Sequence, residues 1–163
     1  MATGDEIQLE LELGSVHQVQ RITLEKFLRT SFQAVEIIDV ISGNSYSFID
    51  VMPNNGINVY RVKIELNGGG VIYTEPVNIY YLGKSDFHVF PNPVERTQPV
   101  TVLSNQTEEV RMQVYNTSGM KVHEEMLLDF INTVSLEKLS RGLYFIRFVK
   151  KDNSATVVKL LVN

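Results

Sequence analysis

The run Val110-Arg111-Met112-Gln113-Val114-Tyr115-Asn116-Thr117-Ser118-Gly119-Met120-Lys121-Val122 decides the fold. Val110, Met112 and Val114 alternate with Arg111, Gln113 and Tyr115, the period of a strand with one face in a core. Asn116-Thr117-Ser118-Gly119 turns the chain, the glycine suiting a left-handed position that other residues resist. Met120-Lys121-Val122-His123-Glu124-Glu125 then runs back, so the segment is an antiparallel hairpin.

Strands continue on both sides of this hairpin. Downstream, Ile131, Val134, Leu136 and Leu139 lead to a turn at Ser140-Arg141-Gly142. Residues 143–149 are apolar on both faces except at Arg147, as in a central strand. Lys150-Lys151-Asp152-Asn153-Ser154 is a polar hairpin loop, and residues 155–162 form the closing strand. Upstream, Phe87-His88-Val89-Phe90 is a brief strand stopped by Pro91-Asn92-Pro93, and residues 99–103 resume the sheet. Two prolines around one residue fix two φ angles, remove two donors and hold Asn92 extended, which marks an edge or a clasp. Short strands at this spacing predict an antiparallel sandwich.

The first half reads in the same way. Ile7-Gln8-Leu9-Glu10-Leu11-Glu12-Leu13 alternates strictly. Glu10 and Glu12 share one face, and with no base or nucleophile nearby that face is solvent-directed. Residues 16–32 fit neither period, so strand-plus-loop and a short helix both stay open. Residues 32–41, 46–50, 59–64, 71–74 and 77–81 are strands separated by Gly, Pro and Asn turns. Pro53 and Gly56 ahead of Tyr60 suit a corner in which a tyrosine hydroxyl bonds to upstream backbone. The expected fold is therefore all-β, with two tandem antiparallel β-sandwiches over residues 1–83 and 84–163.

Composition narrows the function. The chain of 163 residues is 44% hydrophobic and 21% charged, with a net charge of −4, which argues against a nucleic-acid binder. Up to Gly83 there are five Lys and Arg against ten Asp and Glu; from Lys84 onward there are ten against nine. Cysteine is absent, which excludes a disulfide framework and thiol chemistry. No apolar run approaches the roughly 20 residues of a membrane helix, so no direct membrane insertion is expected. The first six residues lack the basic and apolar parts of a secretory signal. The chain is thus expected to be the tail of a longer exported protein whose signal peptide lies elsewhere.

His17, His88 and His123 stand singly, without metal-ligand spacing, and Ser118-Gly119 lacks the flanking glycine of a nucleophile elbow. Catalytic, metal and cofactor residues are accordingly expected to be none. Asp50, Asn54 and Asn55 offer oxygens to a calcium ion, but turn chemistry explains them better. Tyr73, Tyr80 and Tyr81 suit cross-strand packing or, alternatively, a platform for sugars. That platform defines a competing reading, a cell-surface adhesin or carbohydrate-binding module.

Four motifs follow one another to the last residue: Pro91-Asn92-Pro93, Val114-Tyr115 through Gly119 and Val122, Leu139-x-x-Gly142-x-Tyr144, and Lys159-Leu160-Leu161-Val162-Asn163. As an ordered set they resemble the C-terminal sorting domain of type IX secretion cargo, the Por secretion tail, over residues 87–163. Asn116 stands where that family more often has aspartate. Upstream, Tyr46-x-Phe48-x-Asp50 and Pro53-x-x-Gly56-x-x-x-Tyr60-Arg61-Val62 are similar to fibronectin type III-like modules. The likeness covers residues 32–82 well and residues 7–31 poorly, and the tryptophan usual in those modules is missing, so the N-terminal part is expected to be atypical or truncated.

The resemblance implies a non-catalytic address for a secreted or cell-surface protein. The parent would pass through the periplasm, meet the type IX outer-membrane machinery, and lose its tail to a cell-surface sortase. It carries Pro91, Asn92, Pro93, Tyr115, Gly119, Gly142, Tyr144 and Lys159 over as sorting-motif residues. It places the cut in a linker made by Gly83, Lys84, Ser85 and Asp86.

Overall fold

Two separate sets of alternating apolar residues build two separate cores. The computed structural model describes residues 2–3 and 5–163, and the chain divides into the units Met1–Gly83 and Lys84–Asn163.

The first unit contains β1 (Ala2–Thr3), β2 (Glu6–Glu12), β3 (Val19–Leu28), β4 (Ser31–Ile38), β5 (Ser45–Asp50), β6 (Gly56–Leu66), β7 (Val71–Tyr73) and β8 (Val77–Tyr81). One sheet runs β1-β2-β5; the other runs β4-β3-β6, with β7 and β8 both pairing β6. β7 and β8 are one edge interrupted by Thr74, Glu75 and Pro76. The Thr74 hydroxyl oxygen accepts the Val62 N–H at 2.9 Å, so the ladder is repaired by a side chain where the strand breaks. Ile7 and Phe48 from the first sheet pack with Ile22, Leu24 and Tyr60 from the second, all essentially inaccessible to water.

The second unit contains β9 (Phe87–Phe90), β10 (Val100–Ser104), β11 (Val110–Asn116), β12 (Lys121–Leu127), β13 (Ile131–Val134), β14 (Gly142–Val149) and β15 (Ala155–Val162). Its sheets run β9-β10-β13 and β12-β11-β14-β15. In both units the first, second and fifth strands form one sheet, and the fourth, third, sixth and last form the other. These are fibronectin III/immunoglobulin-like sandwiches, as the all-β expectation has it. Phe87 of β9 stacks on Phe148 of β14 at 4.2 Å between ring centroids, joining the two sheets of the second core.

One open choice is decided, in favour of strand-plus-loop, and one expectation needs correction. Residues 16–32 contain no helix: β3 and the start of β4 occupy most of them. β3 keeps a period of two on its core face, with Ile22, Leu24 and Lys26 buried, but Thr23 between them is buried as well, and a register shift against β6 between Val19 and Arg21 breaks the pattern at the start of the strand. β14 is central within its sheet but is not covered on both faces. Tyr144, Ile146 and Phe148 point into the core, while Leu143 is 39% exposed and Arg147 is exposed.

Candidate functional site

A clasp in the second sandwich joins the Pro91-Asn92-Pro93 motif to the terminal strand. β9 ends against β10 at Phe90, opposite Thr101. Pro91 and Pro93 have no N–H to offer either sheet, and the Phe90-Pro91 and Asn92-Pro93 peptide bonds are both cis. Just beyond them the chain belongs to the other sheet, where Val94 makes a parallel bridge to Val162 of β15. The Val94 N–H donates to the Leu161 carbonyl at 2.9 Å, and the Asn163 N–H donates to the Val94 carbonyl at 2.9 Å. The Arg96 N–H donates to the Asn163 carbonyl at 3.2 Å.

Between the two sheets, Asn92 takes the part of a peptide group. Its Nδ2 donates to the Lys159 carbonyl at 2.8 Å, and its Oδ1 accepts the Leu161 N–H at 3.1 Å. The edge of β15 thereby gains partners that two prolines cannot supply from the backbone. The Pro-Asn-Pro turn and the terminal strand, far apart in sequence, are one structural feature. The prolines announced a clasp; the strand it grips had no local signal in the sequence.

Removing this contact has a measurable consequence. Asn92→Ala loses two hydrogen bonds of about 0.5–1.5 kcal/mol each. The melting temperature of residues 84–163 is expected to fall by roughly 5–15 °C, as read by calorimetry. An unchanged melting temperature would contradict the clasp.

The other motif residues divide into two groups. In the β11–β12 turn, Asn116 Oδ1 accepts the N–H groups of Ser118 and Met120 and the Ser118 hydroxyl. Gly119 sits at φ +80°, a conformation that favours glycine. The turn asks residue 116 only for an acceptor oxygen, which either asparagine or aspartate provides. Leu139 is buried ahead of β14, and the Tyr144 hydroxyl donates to the Ser140 carbonyl at 2.8 Å, closing a tyrosine corner. Tyr115 and Lys159 differ from these. Both lie on the outward face of the four-stranded sheet, Tyr115 half-buried and Lys159 exposed.

The expected linker is only partly free. The Gly83 N–H donates to Asn55 Oδ1 at 2.9 Å. Asp86 accepts Lys150 Nζ at 2.6 Å and Gln106 Nε2 at 3.2 Å, and the Ser85 carbonyl accepts Asn105 Nδ2 at 3.1 Å. Only the side chains of Lys84 and Ser85 are exposed.

In the first unit, the candidate ligand residues are engaged internally. Tyr73 stacks on the Arg61 guanidinium, whose other ring contact is Phe32, each at 4.0 Å. Tyr81 is buried and, as the next residue along β8 from Tyr80, points to the other face. The three tyrosines therefore make no common platform. Asp50 is buried too, bound to Lys26 Nζ at 2.7 Å and to the Tyr60 hydroxyl at 2.7 Å. Tyr60 was expected to bond upstream backbone, but its acceptor is this carboxylate. Tyr46 makes the backbone version instead, donating to the Gly43 carbonyl at 2.7 Å. Asn54 and Asn58 bond each other across the turn. Sequence reading missed the Lys26–Asp50 pair because the two residues lie 24 apart on strands of different sheets, so no local signal links them.

The family described as "Secretion system C-terminal sorting domain" matches residues 88–163. No curated protein matches the chain in sequence. Among solved structures, the chain is similar to dimeric latent PorU from Porphyromonas gingivalis, with 14% identity and a TM-score of 0.37 over 98% of this chain and 18% of that one. It is similar to the BSP domain of a biofilm-associated protein, with 15% identity and a TM-score of 0.38 over 98% and 27%. Fibronectin(III)-like modules of Clostridium thermocellum CbhA give 12% identity and a TM-score of 0.34 over 98% and 85%. The chain thus spans less than a third of the first two structures.

Proposed function

We propose, from the premise that residues 88–163 are a type IX secretion C-terminal sorting domain, that this unit is the export address of its parent protein. In this reading, residues 1–83 are a fibronectin-like spacer upstream of it. The observation that carries the proposal is that the matched segment coincides with a unit closing its own core, its last strand included. The sorting domain is non-catalytic, and the parent is an exported protein, secreted or held at the cell surface. Its activity is assigned to sequence upstream of this chain.

The finer steps extend this reading. The outer-membrane machinery meets the folded unit in the periplasm, after a signal peptide has carried the parent there. A cell-surface sortase then cuts at Lys84 or Ser85, the two exposed residues of the linker. Most motif residues act by holding the sandwich shut.

Fusion of residues 84–163 behind a signal peptide and a fluorescent reporter tests this in a strain with the type IX machinery. The reporter is expected outside the outer membrane. Its retention in the periplasm, in cells where an established cargo tail is exported, would overturn the proposal.

A further inference from the structure

The outward face of the β12-β11-β14-β15 sheet has a charge pattern that folding does not require. The registers place Tyr115 beside Phe145 and Phe145 beside Lys159, forming one row across three strands. The next row is Gln113, Arg147 and Val157, and Arg111 begins the third. The outward residues of β11, β14 and β15 include Arg111, Arg147 and Lys159 and no carboxylate, and β12 adds Lys121 and Glu124, which pair with each other at 2.7 Å. Neither Arg147 nor Lys159 has an ion pair among the described residues. Val157, 58% exposed, sits between them on the face.

The first unit has the same strand order, and its corresponding face is arranged differently. There Arg61 pairs with Glu25 at 2.7 Å, Lys63 with Glu65 at 3.0 Å, and Arg21 with Asp39. Cations on such a sheet are thus readily neutralised by neighbours in the same chain. On the second unit Arg147 and Lys159 are left without an ion pair beside an aromatic row, although the whole chain carries a net charge of −4.

The geometry points to this face as the docking surface for an acidic protein surface of the export machinery that carries apolar side chains. Exposed arginine beside half-buried tyrosine and phenylalanine is a combination that interfaces favour, and a predominantly cationic face selects a partner of the other sign. This rests on the sorting reading above and names its contact. Tyr115 and Lys159 belong to the recognised surface, whereas Asn92, Gly119, Gly142 and Tyr144 hold the fold behind it.

The test fuses residues 1–163 behind a signal peptide and reporter, as wild type and as the double variant Lys159→Glu with Arg147→Glu. The double variant is expected to reduce the exported fraction by roughly tenfold or more, with its melting temperature within about 2 °C of wild type. Lys159→Arg is expected to export normally, as is Lys138→Glu in the exposed loop between β13 and β14. If charge reversal lowers the melting temperature, Lys159→Gln with Arg147→Gln decides: lost export supports the face, and normal export overturns it.

Export of the double variant at the wild-type level overturns the docking face and leaves the sorting reading standing. Retention of the wild-type fusion overturns the sorting reading and the face with it. Phosphatidylglycerol vesicles that bind the purified wild-type chain but not the double variant would make the partner a membrane and overturn the protein partner.

Discussion

Deletion of residues 159–163 is expected to unfold the C-terminal unit rather than trim it. The deleted segment contains Leu160 and Val162, which are 0% and 2% exposed, whereas Leu161 is 40% exposed and contributes little to the core. Two fully buried aliphatic side chains are worth about 1.5–3 kcal/mol each. The deletion also removes both Asn92 contacts and the three backbone bonds joining Val94 and Arg96 to β15. At about 0.5–1.5 kcal/mol per bond, the total loss approaches the roughly 5–15 kcal/mol that keeps a domain folded. Circular dichroism of residues 84–158 is expected to show no cooperative melting at ordinary temperatures. A truncated unit that melts like residues 84–163 yet fails to export would instead show that the terminal strand is read directly.

Asp50→Ala is expected to be the most damaging single substitution in the first unit. The Asp50 carboxylate is bound by the Lys26 ammonium, the Tyr60 hydroxyl and the Met52 N–H, with side chains of Lys26 and Asp50 only 6% and 7% exposed. Removing it leaves a buried ammonium without its counter-charge, at a cost of about 3–5 kcal/mol. Tyr60 loses its acceptor in the same step. Burial raises the pKa of Tyr60, and the hydrogen bond to Asp50 raises it further, so the hydroxyl remains a donor at all ordinary pH. The triple variant Lys26→Leu, Asp50→Leu, Tyr60→Phe removes every polar member together, and it is expected to recover most of the loss. Thermal melts of wild type, Asp50→Ala and the triple variant decide the matter; an Asp50→Ala chain that melts like wild type would show the network to be idle.

The same carboxyl gives a pH dependence of definite sign. Burial pushes its pKa up, but hydrogen bonds from Lys26, Tyr60 and Met52 outweigh burial and hold it below the ordinary carboxylate value. Its folded pKa therefore lies beneath its unfolded one. The stabilisation is complete above the unfolded value, about 3.9, and is lost as pH falls through the folded value. Wild type should lose stability in that acid range more steeply than Asp50→Ala.

How much of this was legible depended on whether the signal was local. The β11–β12 hairpin could be read from alternation and from Asn116 and Gly119, because strand period and turn chemistry lie within a few residues of each other. The tyrosine corner at Tyr144 was visible as a motif for the same reason, since its acceptor lies four residues upstream. β3 was only half legible, because Thr23 is buried between Ile22 and Leu24 and the charged Lys26 follows those two onto the core face. The outward face of β14 was misread because its apolar residues suggest burial, while the structure exposes them beside Arg147. The partner of Asn92 was beyond local reading altogether. Nothing near Pro91 and Pro93 says that an amide held between two prolines will pair with the backbone of the last strand.

Amide hydrogen exchange at Leu161 in residues 84–163, compared between wild type and Asn92→Ala, tests the clasp most directly. The Leu161 N–H is predicted to be protected in wild type and to exchange at least about tenfold faster in the variant. The Leu160 N–H, on the β14 side of the strand, should stay protected in both. A Leu161 amide that already exchanges freely in wild type, or is indifferent to the substitution, would contradict the account that the Pro-Asn-Pro turn and the terminal strand form one lock.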